Sequence, residues 1–155
     1  MKTKFFTLFA LVLFFSTSCL FAQDADKFLG YWLTQDGDSQ VKIFKAKDGK
    51  YYGDIKWLKT PNEPDGTAKL DKNNSDEQLK KRPVLGLQIL KSFEYDAKDK
   101  EWVDGTIYDP KNGKTYKCFI RFKDGDENTL LVKGFIGISL LGREVIWQRE
   151  EKLRE

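Results

Sequence analysis

Downstream of Gly30 almost every segment alternates apolar and polar residues at period two, with turn residues breaking the pattern every eight to a dozen positions. An alternation of that period buries one face of a strand and cannot bury one face of a helix. "VKIFK" (Val41–Lys45) leads through Asp48-Gly49 into "YYGDIKWL" (Tyr51–Leu58), and Asp-Gly tolerates the positive φ of a hairpin turn. A loop rich in Pro, Asn, Asp and Lys follows from Lys59 to about Asn74. "SDEQLKKR" then reads as one short helical turn, capped by Ser75 and stopped by Pro83. Strands are predicted over Val84–Tyr95, Trp102–Tyr108, Lys114–Phe122, Thr129–Gly137 and Arg143–Arg149, and "GYWLTQ" supplies another at the start. A flat meander of about eight strands leaves two exposed edges, and closure removes both. The pattern therefore predicts an all-β fold: a single up-and-down antiparallel β-barrel of about eight strands, with a long strap loop and at most a short helix.

The first residues carry an address. "MKTKFFTLFALVLFFSTSCLFAQ" has Lys2 and Lys4, an apolar stretch from Phe5 to Phe15, then small residues before Gln23. This is the pattern of a secretory signal peptide over 1–22, and its apolar stretch is too short to span a bilayer. Cleavage after Ala22 leaves one domain over 23–155 in a periplasmic or secreted protein. "STSC" offers a second reading, lipidation at Cys19, but Ser16 stands where a lipoprotein site takes Leu. Either way Cys118 has no disulfide partner, so the core holds the fold without a crosslink. Without residues 1–22 the 27 basic residues become 25 against 24 acids, a net charge of +1. That balance gives no footprint for nucleic acid, and no later segment reaches transmembrane length.

The chain has no histidine. Histidine triads, Cys-His pairs and most catalytic zinc sites are excluded, and no cofactor or metal is expected. Two "DGD" runs, Asp36–Asp38 and Asp124–Asp126, invite a calcium reading. The second fails as an EF-hand, because Thr129 replaces the required Gly and Phe135 the bidentate Glu. Both read as turns. In "DGTIYDPKNGKTYKC" (Asp104–Cys118) the segment "DPKNG" reads as the loop between two strands, with Asn112-Gly113 at left-handed positions. Cys118 then faces inward with Tyr116, Ile120 and Phe122, where burial raises a thiol pKa. A carboxylate hydrolase drawing on two of Asp54, Asp71, Asp104 and Asp109 is the third-placed functional reading.

The chain ends belong together in a closed barrel, where the first and last strands are neighbours. Trp32 on the first strand and an arginine of the last, Arg143 or Arg149, are placed to stack as a cation–π pair plugging one end. Gly30 and Trp32 with that arginine resemble the calycin pattern of lipocalins and their relatives. The longer resemblance, over essentially the whole mature chain, is to the exported bacterial family catalogued as domain of unknown function 2147. It rests on "GYW"; on Asn74, Arg82, Pro83 and Gly86 in "NNSDEQLKKRPVLGLQIL"; on Gly105 and Gly113 in "WVDGTIYDPKNGKTYKC"; and on Gly134, Gly142, Arg143, Trp147 and Arg149 in "VKGFIGISLLGREVIWQR". The resemblance implies a lipocalin-like barrel and an exported location, and brings no catalytic residues.

The leading functional reading is non-catalytic binding of a small apolar or amphipathic molecule inside the barrel. Tyr52, Trp57, Arg82, Tyr108 and Tyr116 are the candidate pocket or mouth residues. The alternative is a filled barrel acting on an envelope protein through its surface, for which Phe44, Phe119 and Phe135 alternate outward. The loop from Lys59 to Arg82 is read either as a lid anchored by Asp71, Asn74 and Arg82, or as a strap that only covers core.

Overall fold

The computed structural model describes residues 24–155, so residues 1–22, read above as a signal peptide, and Cys19 lie outside the described residues. Eight strands follow one another: β1 Gly30–Leu33, β2 Ser39–Lys45, β3 Tyr51–Leu58, β4 Gln88–Asp96, β5 Glu101–Asp109, β6 Lys114–Lys123, β7 Asp126–Phe135 and β8 Arg143–Glu150. Each pairs antiparallel with the next, and β8 closes on β1 with Trp32 opposite Arg149. The expected up-and-down barrel is the fold.

Several local expectations need correction: β7 runs Asp126–Phe135 rather than Thr129–Gly137, and of Asn112-Gly113 only Gly113 is at positive φ, 72°. β4 begins at Gln88 rather than Val84, because Gly86 at φ 91° and the Leu87-to-Val84 backbone bond make residues 84–87 a turn. The helical turn is a 3-10 turn, Leu79–Lys81, and Ser75 does not cap it. The side chains of Asn74 and Asp76 instead accept the backbone N–H groups of Asp76 and Gln78. Pro83 does end it, since Arg82 is already extended at ψ 145°.

The interior differs from end to end. At one end the short β2–β3, β4–β5 and β6–β7 hairpins converge, and Asp124-Gly125, both at positive φ, make the tightest of them. Rings fill this end. Phe28 stacks on Trp102 at 4.3 Å between centroids, and Tyr51, Phe93 and Phe122 pack edge-on around that pair. Gly105 is needed beneath them, because a Cβ there would lie 2.4 Å from the Phe93 ring. The turn preceding β1 seals the base: Trp102 donates its indole N–H to Ala25 O and Trp32 to Phe28 O.

Arg149 completes the seal. Its guanidinium lies 4.2 Å from the Trp32 ring centroid and donates to the backbone oxygens of Lys27, Leu29 and Glu127. The expected cation–π plug is present, and its arginine is Arg149 rather than Arg143. Burial lowers the Arg149 pKa, and three carbonyls replace the water it gives up.

Candidate ligand-binding site

Toward the other end the inward side chains change from rings to branched aliphatics. Ile55, Ile89, Ile107, Val132 and Val145 wall a cavity of about 390 Å³ with Trp147 among them. Short β-branched side chains do not reach one another across the barrel axis, so the space at its centre stays open. A molecule between these side chains meets mostly hydrocarbon.

The rim is polar. Thr34–Ser39 from the β1–β2 connection and Asp109–Asn112 from the β5–β6 connection border the opening. These connections belong to strands on opposite sides of the barrel, yet Lys111 joins them, reaching Asp36 at 2.8 Å and Asp38 at 2.7 Å. The ion pairs form a bar across the mouth. Hydrogen bonds that Lys111 donates to Asp36 and Asp38 raise its pKa. Burial works against the Asp38 charge, but Lys111, Ser39 and Thr34 outweigh it and hold its pKa below the ordinary value. By barrel order the bar divides the mouth into a β3–β4 side and a β7–β8 side.

The strap occupies the first side as a buttress. Asp71, fully buried, accepts two bonds on Oδ2 from Arg82, at 3.0 and 2.9 Å, and one from Asn74 at 2.9 Å. Tyr108 donates its hydroxyl to Asp71 Oδ1 at 2.5 Å and accepts from Asn74. Burial first, then the bond to Asp71, raises the Tyr108 pKa. Asn73 ties the strap to the β5–β6 loop through the carbonyls of Pro110 and Lys111. Gly113 is obligatory at that junction: its φ is +72°, and a Cβ would sit 1.7 Å from Asn73 O. No residue of the Lys59–Arg82 loop lines the cavity, so the loop braces a wall and does not cover the opening. Asp71, Asn74 and Arg82, expected as the anchors of a lid, anchor the strap instead.

The five candidate pocket residues divide. Tyr108 and Tyr116 line the cavity near the rim, and Tyr116 accepts a hydrogen bond from Asn112 at 3.0 Å. Tyr52 does not belong: it points outward, bonds Asp48 and stacks with Phe44. Trp57 does not either. A bulge between the Gln40 and Val41 pairings inserts Lys56, which flips Trp57 outward beneath Arg154, where its indole N–H meets Glu155 O. Arg82 is spent on Asp71. The residues missed are the aliphatic wall itself, together with Asp36, Asp38, Lys111 and Arg143 at the rim. Strict period-two counting from Tyr51 and from Tyr116 finds Ile55 and Val132's neighbours on the inward face, so that signal was available in the pattern.

Of the signature positions, Gly134, Arg143 and Trp147 border the cavity, whereas Gly30 and Trp32 with Arg149 form the closed end. Cys118 is buried as expected, and burial raises its thiol pKa. The four acids considered for hydrolysis have separate surroundings: Asp54 pairs with Lys56, Asp71 holds the strap, Asp104 is exposed on a bulge, and Asp109 caps its own loop.

A closed eight-stranded antiparallel barrel with one end packed solid and an apolar cavity opening at the other is a lipocalin-like architecture. The family described as an uncharacterized protein conserved in bacteria, domain of unknown function 2147, matches residues 30–149, and the chain belongs to it. Among solved structures it is similar to protein HP1028 from the human pathogen Helicobacter pylori, described as belonging to the lipocalin family. The TM-score is 0.66 at 22% identity, covering 79% of this chain and 82% of that one. At that identity the likeness concerns the fold. No curated protein matches the chain.

Proposed function

We propose that the barrel binds one small apolar or amphipathic molecule, without transforming it, in the cavity between Trp147 and the rim. The carrying observation is the lining: a cavity of about 390 Å³ with aliphatic walls and a polar mouth at one end only. That volume falls in the range of small-molecule sites, roughly 300–1,000 Å³, and the polarity gradient matches a ligand with an apolar body and a polar end. Catalysis is not part of the reading, because the acids nearest the cavity are engaged with Lys111, Arg82, Asn112 and backbone groups. The site of action we propose is outside the cytoplasm, from the signal-peptide pattern of residues 1–22. The test is native mass spectrometry of the protein purified from its own envelope, followed by organic extraction. A stoichiometric small molecule supports the reading. An empty barrel that binds no member of a lipid and aromatic panel contradicts it, and mass analysis of the mature N-terminus decides between cleavage after Ala22 and lipidation at Cys19.

A second reading has one observation in its favour. Phe119 and Phe135 lie together on the outer wall, with centroids 6.4 Å apart, as do Phe44 and Tyr52 at 6.1 Å. Such outward pairs suit a protein interface. Crosslinking in the envelope that captures a partner through β6 and β7 is its test.

A further inference from the structure

On the open side of the Lys111 bar stands the loop between β7 and β8, "IGISLLG" (Ile136–Gly142). It carries the largest exposed apolar group among the described residues. Ile136 is 71% exposed, Ile138 60%, Leu140 85% and Leu141 81%. The strand pairing ends at Gly134–Arg143, so the loop stands clear of the sheet. A 3-10 turn, Ser139–Leu141, forms its tip. Its base is tight, since a Cβ on Gly142 would lie 2.7 Å from Gly134 O and 2.9 Å from Phe135 Cβ. The projection is therefore set by packing at the base.

Three observations say what covers it. First, Ile136 and Leu141 also line the cavity, so whatever meets the loop meets the open mouth. Second, the exposed side chains are all aliphatic. A convex tip of seven residues offers far less than the roughly 800 Å² per partner of a stable protein interface, and it lacks the aromatic anchors such interfaces favour. Third, from Phe135 to Arg143 the only charged residue is Arg143, at the base, where an anionic headgroup would lie if the tip entered hydrocarbon.

We propose that the β7–β8 loop is a bilayer-docking element that seats the open end of the barrel on a lipid membrane, so that an acyl-chain amphiphile passes directly between the bilayer and the cavity. The transfer half of this proposal rests on the ligand-binding reading above; the docking half does not. Inserted aliphatic tips exchange water for hydrocarbon, and each buried Leu or Ile multiplies membrane affinity roughly tenfold or more. The strap on the far side of the bar, pinned by Asp71 and Arg82, stays out of the contact.

The experiment compares the purified protein with the double variant Ile138→Asp, Leu140→Asp on phosphatidylcholine vesicles, with and without phosphatidylglycerol. A fluorescent fatty acid is supplied either free in solution or preloaded in the vesicles. Co-sedimentation of the parent protein is expected, with at least a tenfold loss of vesicle affinity in the variant. Binding of the free probe is expected to stay within about twofold while uptake from vesicles slows tenfold or more. In a separate variant, Leu140→Cys carrying an environment-sensitive dye, emission is expected to shift blue on vesicles; buried Cys118 is protected from the label. Parent protein that ignores vesicles, with no dye shift, overturns the proposal. So does concentration-dependent dimerisation abolished by the double variant without any vesicle response, since the loop then covers a second copy. A parent protein that docks but binds no free probe overturns the cavity reading and leaves the docking result standing.

Discussion

The two ends of this barrel use the same strands and the same alternation, and differ in what alternates inward. At the closed end the inward positions are rings, and Phe28, Trp102, Phe93 and Phe122 reach across the axis to touch at 4.3–6.5 Å. At the open end Ile and Val make up most of the wall, with Trp147, Tyr108 and Tyr116 among them, and the axis is left empty. Side-chain reach, with no change of topology, turns a solid core into a cavity within one sheet. The same division separates stability from recognition: Trp32 and Arg149 seal one end, while Asp36, Asp38 and Lys111 shape the mouth of the other.

The division is broken most severely from the closed end. Trp32→Ala removes a fully buried indole, its bond to Phe28 O and the Arg149 stack. Urea unfolding is expected to show a loss of about 3–5 kcal/mol. Asp71→Ala strikes the buttress instead, leaving Arg82 and the Tyr108 hydroxyl without their acceptor. A loss of about 2 kcal/mol is expected, low for a buried ion pair because Arg82 is partly exposed. Ligand affinity in that variant should fall less than stability does, since no strap residue lines the cavity.

A matched pair sharpens the comparison. Ile43→Phe, at a buried position outside the cavity lining, adds volume to the packed end and is expected to cost about 1–3 kcal/mol. Val132→Phe adds the same kind of volume to the open end, where space exists, and should leave the unfolding midpoint nearly unchanged while abolishing ligand binding. Equal stability losses in the two variants would mean that both ends are equally packed.

Ionisation separates the ends more gently. Burial, then hydrogen bonding to Asp26 and Asp71 respectively, raises the pKa values of Tyr51 and Tyr108, and burial raises that of Cys118. A group whose folded pKa is raised binds its proton more tightly in the folded state, so its contribution is complete below the unfolded value and fades as pH climbs toward the folded one. Stability is expected to decline from about pH 9–10 upward, at the ordinary values of these groups. Tyrosine absorbance should change cooperatively with unfolding, and lacking histidine the protein has no side chain whose ordinary pKa lies near neutrality. The smallest effects belong outside both ends: Tyr52→Phe and Trp57→Phe should shift stability by less than about 0.5 kcal/mol and leave ligand binding unchanged.

Much of this is legible in the sequence. The strands, their order, the closure of β8 on β1 and the inward Cys118 follow from alternation and turn chemistry, because register on a half-buried sheet is fixed by which face is apolar. Trp57 was not legible. One inserted residue, Lys56, reverses the parity that would have pointed it inward, and nothing in the residue types announces that bulge. The same happens in β5, where Asp104 at φ 57° lets Trp102 and Gly105, three apart, pair in succession with Ile120 and Cys118. The wall is not legible for another reason: aromatic content points to a ring-lined pocket, whereas in this barrel most of the rings fill the closed end and the aliphatics bound the cavity.

The most direct test of a solid end and an open end is a methyl NMR titration of Ile- and Val-labelled protein with a medium-chain fatty acid. Methyl shifts at Ile55, Ile89, Ile107, Val132 and Val145, with Ile43 unmoved, are the expected result. Shifts at Ile43 equal to those of the wall, or none anywhere inside the barrel at saturating fatty acid, would contradict it.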